Sequence, residues 1–389
     1  MVDNYLYEVM RQRMRNVPDG FFRYIYHELP DEARMLGLTG PRGVGKSTLL
    51  FQKIKEYGAD SLYVDVDDIY FSTHRLVELA DVFVKSGGKF LAIDEVHKYE
   101  GWSRELKQIY DNYPKLRIIF TGSSVLDIKR GESDLSRRAL MYHMQGLSFR
   151  EYLELFHNVR TPVVTLAGIL GHEVELPEVE HPLPLFGEYL RKGYFPFSSE
   201  PGFGLRLNQI INQTVETDIP LYAGMTASTA RKLKQLMGVL SRLAPYKPSI
   251  ENLAQEIGVS KNNLPEYLVM LEKAGMISLL RDDTSGIRVL GKIEKLYIDN
   301  TNFMYAMAGT DTNVGNVRET FFLNQMRVRH DVMASRISDF RIEDYTFEVG
   351  GRNKGFRQLK DAEKGIVVKD DIEFGSGVTV PLWHFGLTY

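Results

Sequence analysis

The sequence predicts an α/β fold with a parallel sheet at its heart, followed by a mostly helical half. Three observations carry this. Short apolar runs alternate with helical stretches between residues 35 and 121, a glycine-rich loop follows the first run, and two adjacent acids follow the third. A chain of 389 residues exceeds what one hydrophobic core fills, so several domains are expected. There are no cysteines, which excludes disulfides, thiolate zinc sites and a cysteine nucleophile together. A net charge of −3 argues against a molecule that is basic overall, so nucleic-acid contact would need a local basic face. The start, MVDNYLYEVMRQRMR, lacks the apolar core of a signal peptide, and no run is long enough to span a bilayer. The expectation is a cytoplasmic protein without membrane contact.

Residues 3 to 29 read as one or two helices, with Asp3 as N-cap and a break around Asn16-Val17-Pro18-Asp19-Gly20. Four buried strands are then expected at Arg34–Thr39, Ser61–Val66, Phe90–Ile93 and Leu116–Thr121. Beyond Gln145 the pattern turns helical from Ser148, and residues 160–184 read as an insertion or long loop. The expected domains are N-terminal helices over 1–34, the sheet core over 35–145, a helical connector over 146–226, and modules over 227–300 and 301–389.

The first strand runs into Gly40-Pro41-Arg42-Gly43-Val44-Gly45-Lys46-Ser47-Thr48, a full Walker A pattern in a strand–loop–helix setting. The glycines allow backbone torsions and close approach that side chains would block. The loop N–H groups, aided by the following helix N-terminus, can wrap nucleotide phosphates. Lys46 is expected to bridge the β- and γ-phosphates of ATP, and the Ser47 hydroxyl to ligate Mg²⁺. The third strand delivers Asp94 and Glu95 at its carboxyl end, where doubly wound sheets hold their ligands. Asp94 is expected to hold Mg²⁺ through water, and Glu95 to orient and deprotonate the attacking water, which predicts an ATPase rather than a transferase. Ser123 or its neighbour Ser124, after the fourth strand, is the candidate contact to the γ-phosphate. Arg138 or Arg137 is the candidate cation for the transferring phosphoryl group, in cis or on the nucleotide of a neighbouring copy in a homo-oligomer.

The segments Leu38-Thr39-Gly40-Pro41-Arg42-Gly43-Val44-Gly45-Lys46, Ile93-Asp94-Glu95-Val96-His97-Lys98-Tyr99, Thr121-Gly122-Ser123-Ser124 and Leu147-Ser148-Phe149-Arg150-Glu151-Tyr152 together resemble one prokaryotic family. It is the group of AAA-superfamily ATP-binding proteins that carry a C-terminal domain of unknown function. The resemblance continues through Tyr189–Pro196 and Glu216–Ile219 towards the C-terminus. It implies a P-loop NTPase core of AAA type, a helical lid, a winged helix-turn-helix and a small restriction-endonuclease-like α/β domain.

The residues of the later modules bear on this. Ser249–Ser260 reads as a helix and a glycine turn, and a second helix follows with Pro265 near its start, tolerated only in the first turn. Met276–Leu280 and Ile287–Leu290 are expected as the strands of a wing. Near the C-terminus, Ser338-Asp339-Phe340 and Thr346–Gly350 read as adjoining strands. Asp339 and Glu348 match the two acids of a nuclease pattern, but Gly350 stands where its lysine belongs, so a degenerate domain is expected. Arg352, Lys354, Arg357 and Lys360 are candidate phosphate contacts. The leading expectation is thus an ATPase whose nucleotide state controls its C-terminal domains, acting on or near DNA or another nucleic acid. The alternatives are an ATP-regulated DNA nuclease and a protein-binding switch with no nucleic-acid contact.

Overall fold

A computed structural model describes residues 2–122, 135–247, 249–282 and 292–389. The chain divides into two compact units, residues 1–145 and 146–389.

The first unit is organised around a five-stranded sheet. Its strands are β1 (Met35–Thr39), β2 (Ser61–Asp65), β3 (Phe90–Asp94), β4 (Arg117–Gly122) and β5 (Leu140–His143), in the order β2-β3-β4-β1-β5. Every pairing is parallel, with Leu36 opposite Ile119 and Tyr63 opposite Ala92. Parallel strands need covered faces, and the near-continuous apolar runs supply them. Leu62, Val64, Leu91, Ile93 and Phe120 are each at most 1% exposed, a burial worth roughly 1.5–3 kcal/mol per side chain. Helices α1 (Asn4–Met14), α2 (Lys46–Tyr57), α3 (Leu76–Lys85) and α4 (Trp102–Asn112) complete the unit. Asp3 caps α1 as expected, its carboxylate accepting from the Tyr5 amide at 3.0 Å. Four of the strands fall where the sequence places them. The fifth, β5, was not expected. It is an edge strand with exposed side chains at both ends and half-buried ones between, so it lacks the buried run that marks the others.

In the second unit, α5 (Phe149–His157) opens with a capping box between Ser148 and Glu151. Then come α6 (Pro182–Lys192), α7 (Phe203–Gln213) and α8 (Ala227–Leu243). Helices α9 (Ile250–Glu256) and α10 (Leu264–Lys273) flank a turn at Gly258, whose φ of +64° is a left-handed value that glycine adopts freely. Pro265 lies in the first turn of α10, where its missing N–H breaks no intrahelical bond. An antiparallel hairpin follows, β6 (Ile277–Arg281) with β7 (Ile293–Ile298), Leu279 opposite Leu296. The strand expected at Ile287–Leu290 lies outside the described residues.

Helices α11 (Thr301–Ala308) and α12 (Val314–Met326) lead to a mixed sheet of β8 (Val332–Ala334), β9 (Phe340–Ile342), β10 (Tyr345–Gly350), β11 (Gly365–Lys369) and β12 (Thr379–Pro381). Its order is β12-β11-β10-β9-β8, with β10, β11 and β12 parallel and β9 antiparallel to β10. Phe322 of α12 packs on Phe340, Phe347 and Phe385 at centroid distances of 5.0, 5.2 and 4.9 Å. Phe340 and Phe347 face each other across β9 and β10, which fixes which side of the sheet is apolar.

Candidate nucleotide site

Gly40, Gly43 and Gly45 adopt φ values of +147°, +81° and +99° between β1 and α2. Only residues without a Cβ adopt such torsions at little cost. At Gly40 the space is closed as well, because a Cβ would lie 2.2 Å from the Met144 carbonyl oxygen. The loop is held from below by Arg23, a buried guanidinium that donates to the carbonyls of Val44 and Gln145. Tyr24 adds a hydroxyl bond to the His143 carbonyl at 3.2 Å.

Lys46 is 6% exposed and its ammonium donates to the Gly40 and Pro41 carbonyls, each at 2.8 Å. That uses two of its three donors and leaves one for a phosphate oxygen. Burial pushes its pKa down to about 8, and Arg42 adds to the shift, while Glu95 and Asp94 oppose it. Ser47 and Thr48 follow in the first turn of α2.

Asp94 ends β3 buried at 3% exposure. Its carboxylate accepts from the Tyr63 hydroxyl at 2.9 Å and from the Thr121 hydroxyl in a short contact. The same Thr121 oxygen accepts the Glu95 amide at 3.2 Å. Because β4 lies beside β3, one hydroxyl fixes both acids. Tyr63 is tied in turn to α1, since Arg13 donates to its oxygen at 2.7 Å and to Asp65 at 3.1 Å.

Glu95 sits at φ +56°, a left-handed value uncommon for a side-chain-bearing residue and concentrated at functional sites. Burial raises its pKa and Asp94 raises it further, against Lys46 and Arg42. The His97 ring lies 3.4 Å from its carboxylate, with no exposed side-chain surface of its own. Burial and nearby cations push His97 down to about 3, so the ring is neutral at pH 7 and can offer Nε2–H to Glu95.

Lys46, Asp94 and Glu95 are thus brought together, near enough for each acid to act on the lysine's charge. Ser123 and Ser124 lie outside the described residues. Arg138 is engaged elsewhere, in a two-pronged ion pair with Asp111 in the last turn of α4 at 2.9 Å on both arms. Thr121, Tyr63, Arg13, Arg23 and His97 were not singled out by the sequence. Thr121 alone left a signal, as a hydroxyl at the carboxyl end of a buried strand. The others act through side chains far from the motif or inside it without a pattern of their own.

A second cluster of charge lies in the second unit. Lys295 bridges Glu319 and Asp339 at 3.1 Å each, and Tyr297 donates to Glu319 at 2.8 Å. Asp339 also accepts the Val349 amide at 3.0 Å. Burial and the nearby Asp339 raise the Glu319 pKa. Lys354 reaches Glu348 in a short ion pair, and its stem lies over Gly350, where a Cβ would come within 2.6 Å of it. A lysine thus reaches Glu348 from the turn that follows the strand.

Residues 32–153 match the AAA domain family, and residues 184–314 match a domain of unknown function, DUF8612. Over 270 residues the chain is 26% identical to the uncharacterized protein MJ1637 of Methanocaldococcus jannaschii. The match takes in 64% of this chain and 56% of that protein, so the chain spans little more than half the length of this curated relative. Among solved structures it is similar to the Walker-type ATPase PABY2304 of Pyrococcus abyssi, at TM-score 0.47 and 16% identity over 74% of this chain and 95% of that one. It is also similar to AMPPCP-bound DnaA from Aquifex aeolicus, at TM-score 0.28 and 14% identity over 70% and 88% of the two chains. Among the described residues no helix is long and apolar enough to cross a membrane. A complete Walker loop and the paired acids on the third strand fall within residues 32–153, the span that matches the AAA domain family, and mark that span as an AAA-type ATPase domain.

Proposed function

We propose that the first unit binds ATP with Mg²⁺ and hydrolyses it, and that the nucleotide state sets the contacts made by the second unit. The observation that carries this reading is the convergence of Lys46, Asp94, Thr121 and Glu95 on one end of the sheet. The donor set fits Mg²⁺, a hard cation that takes one or two protein oxygens and completes its shell with water and phosphate. Ser47 and Asp94 supply such oxygens, and no group of three metal-ligating side chains stands among the described residues. When bound, the ion would neutralise charge on the β- and γ-phosphates.

The chain's own residues would do the rest. Backbone N–H groups of residues 43–48 wrap the phosphates, and Lys46 turns from its loop carbonyls to the phosphate oxygens. Glu95, with its carboxyl raised by burial, accepts the proton of the attacking water. Thr121 holds the Glu95 backbone through its amide, and His97 lies against the carboxylate. The Ser123 hydroxyl would contact the γ-phosphate, and Arg138 would act on a neighbouring copy's nucleotide after leaving Asp111. Lys46→Ala is expected to abolish nucleotide binding, while Glu95→Gln retains binding and traps ATP. Normal hydrolysis by Glu95→Gln would remove the general-base assignment.

Nucleic acid is the partner class we favour for the second unit, in the cytoplasm, through the helix–turn–helix with its hairpin as a winged module and through the turn after β10. Arg352, Arg357 and Lys360 are exposed there. Retention on DNA that falls steeply with salt would support phosphate contact, and salt-insensitive behaviour would favour a protein partner. One observation favours a second reading, an ATP-regulated nuclease. Lys354 on Glu348, beside Asp339, restores the acid–acid–lysine set that Gly350 interrupts. Mg²⁺-dependent DNA cleavage that disappears in Asp339→Ala would establish it, and no cleavage with Mg²⁺ or Mn²⁺ would remove it.

A further inference from the structure

Strand β2 lies at one edge of the sheet in the first unit, and α1 packs along it, with the Met10 sulfur accepting the Tyr63 amide at 3.3 Å. Side chains alternate along a strand, so Tyr63 and Asp65 share a face. Asp65 stands opposite Asp94 in the register, and Tyr63 stands opposite Ala92, whose side chain is a single methyl group. The Tyr63 ring is 1% exposed and packs on Phe51 at 4.3 Å. It reaches past Ala92 to the diagonal neighbour Asp94.

The direction of each hydrogen bond follows from the groups that make it. Arg13 can only donate, and it gives an N–H to the Tyr63 oxygen at 2.7 Å. The phenol therefore directs its one proton to Asp94, at 2.9 Å. Tyr63 takes Oδ2 and Thr121 takes Oδ1, so both oxygens of this carboxylate are held. Each oxygen keeps a second lone pair for an outside donor such as metal-bound water. A charged donor on the phenol oxygen polarises its O–H and strengthens the bond to Asp94. Thr121 receives a neutral donor instead, the Glu95 amide at 3.2 Å.

The same guanidinium separates the two acids of the register pair. Arg13 also donates to Asp65 at 3.1 Å, which compensates that carboxylate. The hydroxyls of Tyr63 and Thr121 orient Asp94 without cancelling its charge. A carboxylate held by outer partners with its charge intact is the usual form of a supported metal ligand.

We propose that Tyr63, polarised by Arg13, is a positioning residue for metal binding at Asp94, and that α1 is through it a working part of the metal site. This rests on the reading of Asp94 as a Mg²⁺ ligand. The relay sets how much the metal adds to nucleotide affinity and leaves the phosphate loop's own hold on the nucleotide unchanged.

The test is the ratio of two dissociation constants of the full chain for mant-ADP, the value in EDTA over the value in Mg²⁺. Tyr63→Phe keeps the ring and deletes the hydroxyl. It should lower the ratio about fivefold, as loss of an outer partner does when a second one remains, and leave the Kd in EDTA within about twofold. Arg13→Gln, paired with Asp65→Asn so that no acid is left uncompensated, should lower the ratio about twofold. The pair should add nothing once Tyr63→Phe is present. An unchanged ratio in Tyr63→Phe, while the native chain responds to Mg²⁺, overturns the proposal alone. Equal weakening in EDTA and in Mg²⁺ also overturns it, since that is the mark of a general structural role. A further drop when the pair is added to Tyr63→Phe overturns the part given to α1. A native chain that binds mant-ADP without any response to Mg²⁺ overturns the metal reading of Asp94 and the proposal with it.

Discussion

Thr121→Val exchanges a hydroxyl for a methyl group at a fully buried position, and two bonds go with it. The bond to Asp94 is charge-assisted and worth about 1.5–3 kcal/mol, while the neutral bond from the Glu95 amide is worth about 0.5–1.5 kcal/mol. A central sum of about 3 kcal/mol, at roughly 2–4 °C per kcal/mol for a unit of this size, lowers the melting temperature of the first unit by about 6–12 °C. The kinetic effect is separate. Glu95 holds an uncommon backbone conformation that Thr121 helps to fix, and loss of position at a reacting group costs on the order of 10²-fold. The Thr121 hydroxyl bonds to Asp94 and Glu95 rather than to the phosphate loop, so nucleotide affinity should stay within about threefold. Phosphate release would be followed for kcat below the melting range, and a fluorescent nucleotide titrated for Kd. Thr121→Ser keeps the hydroxyl and should recover most of the rate. Wild-type turnover in Thr121→Val would refute the reasoning, as would a Thr121→Ser enzyme equally slow.

Three other outcomes can be checked. Since Lys46 titrates near pH 8 when no phosphate is bound, nucleotide binding should take up about half a proton at pH 8 and almost none at pH 7, read from calorimetry in buffers of different ionisation enthalpy. For stability the sign is set by the lowered pKa: the burial penalty on the charged lysine is present below pH 8 and is relieved as pH rises towards the unfolded value of 10.5, so this residue makes the unit more stable in that window. Gly40→Ala combines a disfavoured torsion with contact against the Met144 carbonyl, and should cost about 1–3 kcal/mol in a denaturant titration and abolish nucleotide binding. Gly350→Ala should push the Lys354 stem away and uncouple it from Glu348, so that Lys354→Ala costs less stability in the Gly350→Ala background than in the native chain, as a double-mutant cycle would show.

What the sequence disclosed, and what it withheld, follows from how local each feature is. The phosphate loop and the Asp94–Glu95 pair were legible because their torsions and chemistry are carried by consecutive residues. Strands β1 to β4 were legible because both faces are buried, which leaves continuous apolar runs. Strand β5 was not, since Leu140 and His143 on a half-exposed edge carry no such run. Pro265 looked out of place only until the start of α10 was known. The links from Thr121, Tyr63 and Arg13 to the acids depend on which strands are neighbours and on the approach of α1, which no local pattern encodes. Spacing gives no support to Lys354 beside Glu348, because a strand places side chains at intervals of two, whereas this residue arrives from a turn over a glycine.

The buried Arg23 has a consequence for what must travel with the nucleotide site. The recognised domain begins at residue 32, yet this guanidinium ties a carbonyl of the phosphate loop to one at the end of the first unit. A graft of residues 32–153 onto another protein would carry every signature residue and leave behind the keystone beneath them. A transplanted nucleotide site would therefore have to bring Arg23 with it, although that residue lies ahead of the first strand.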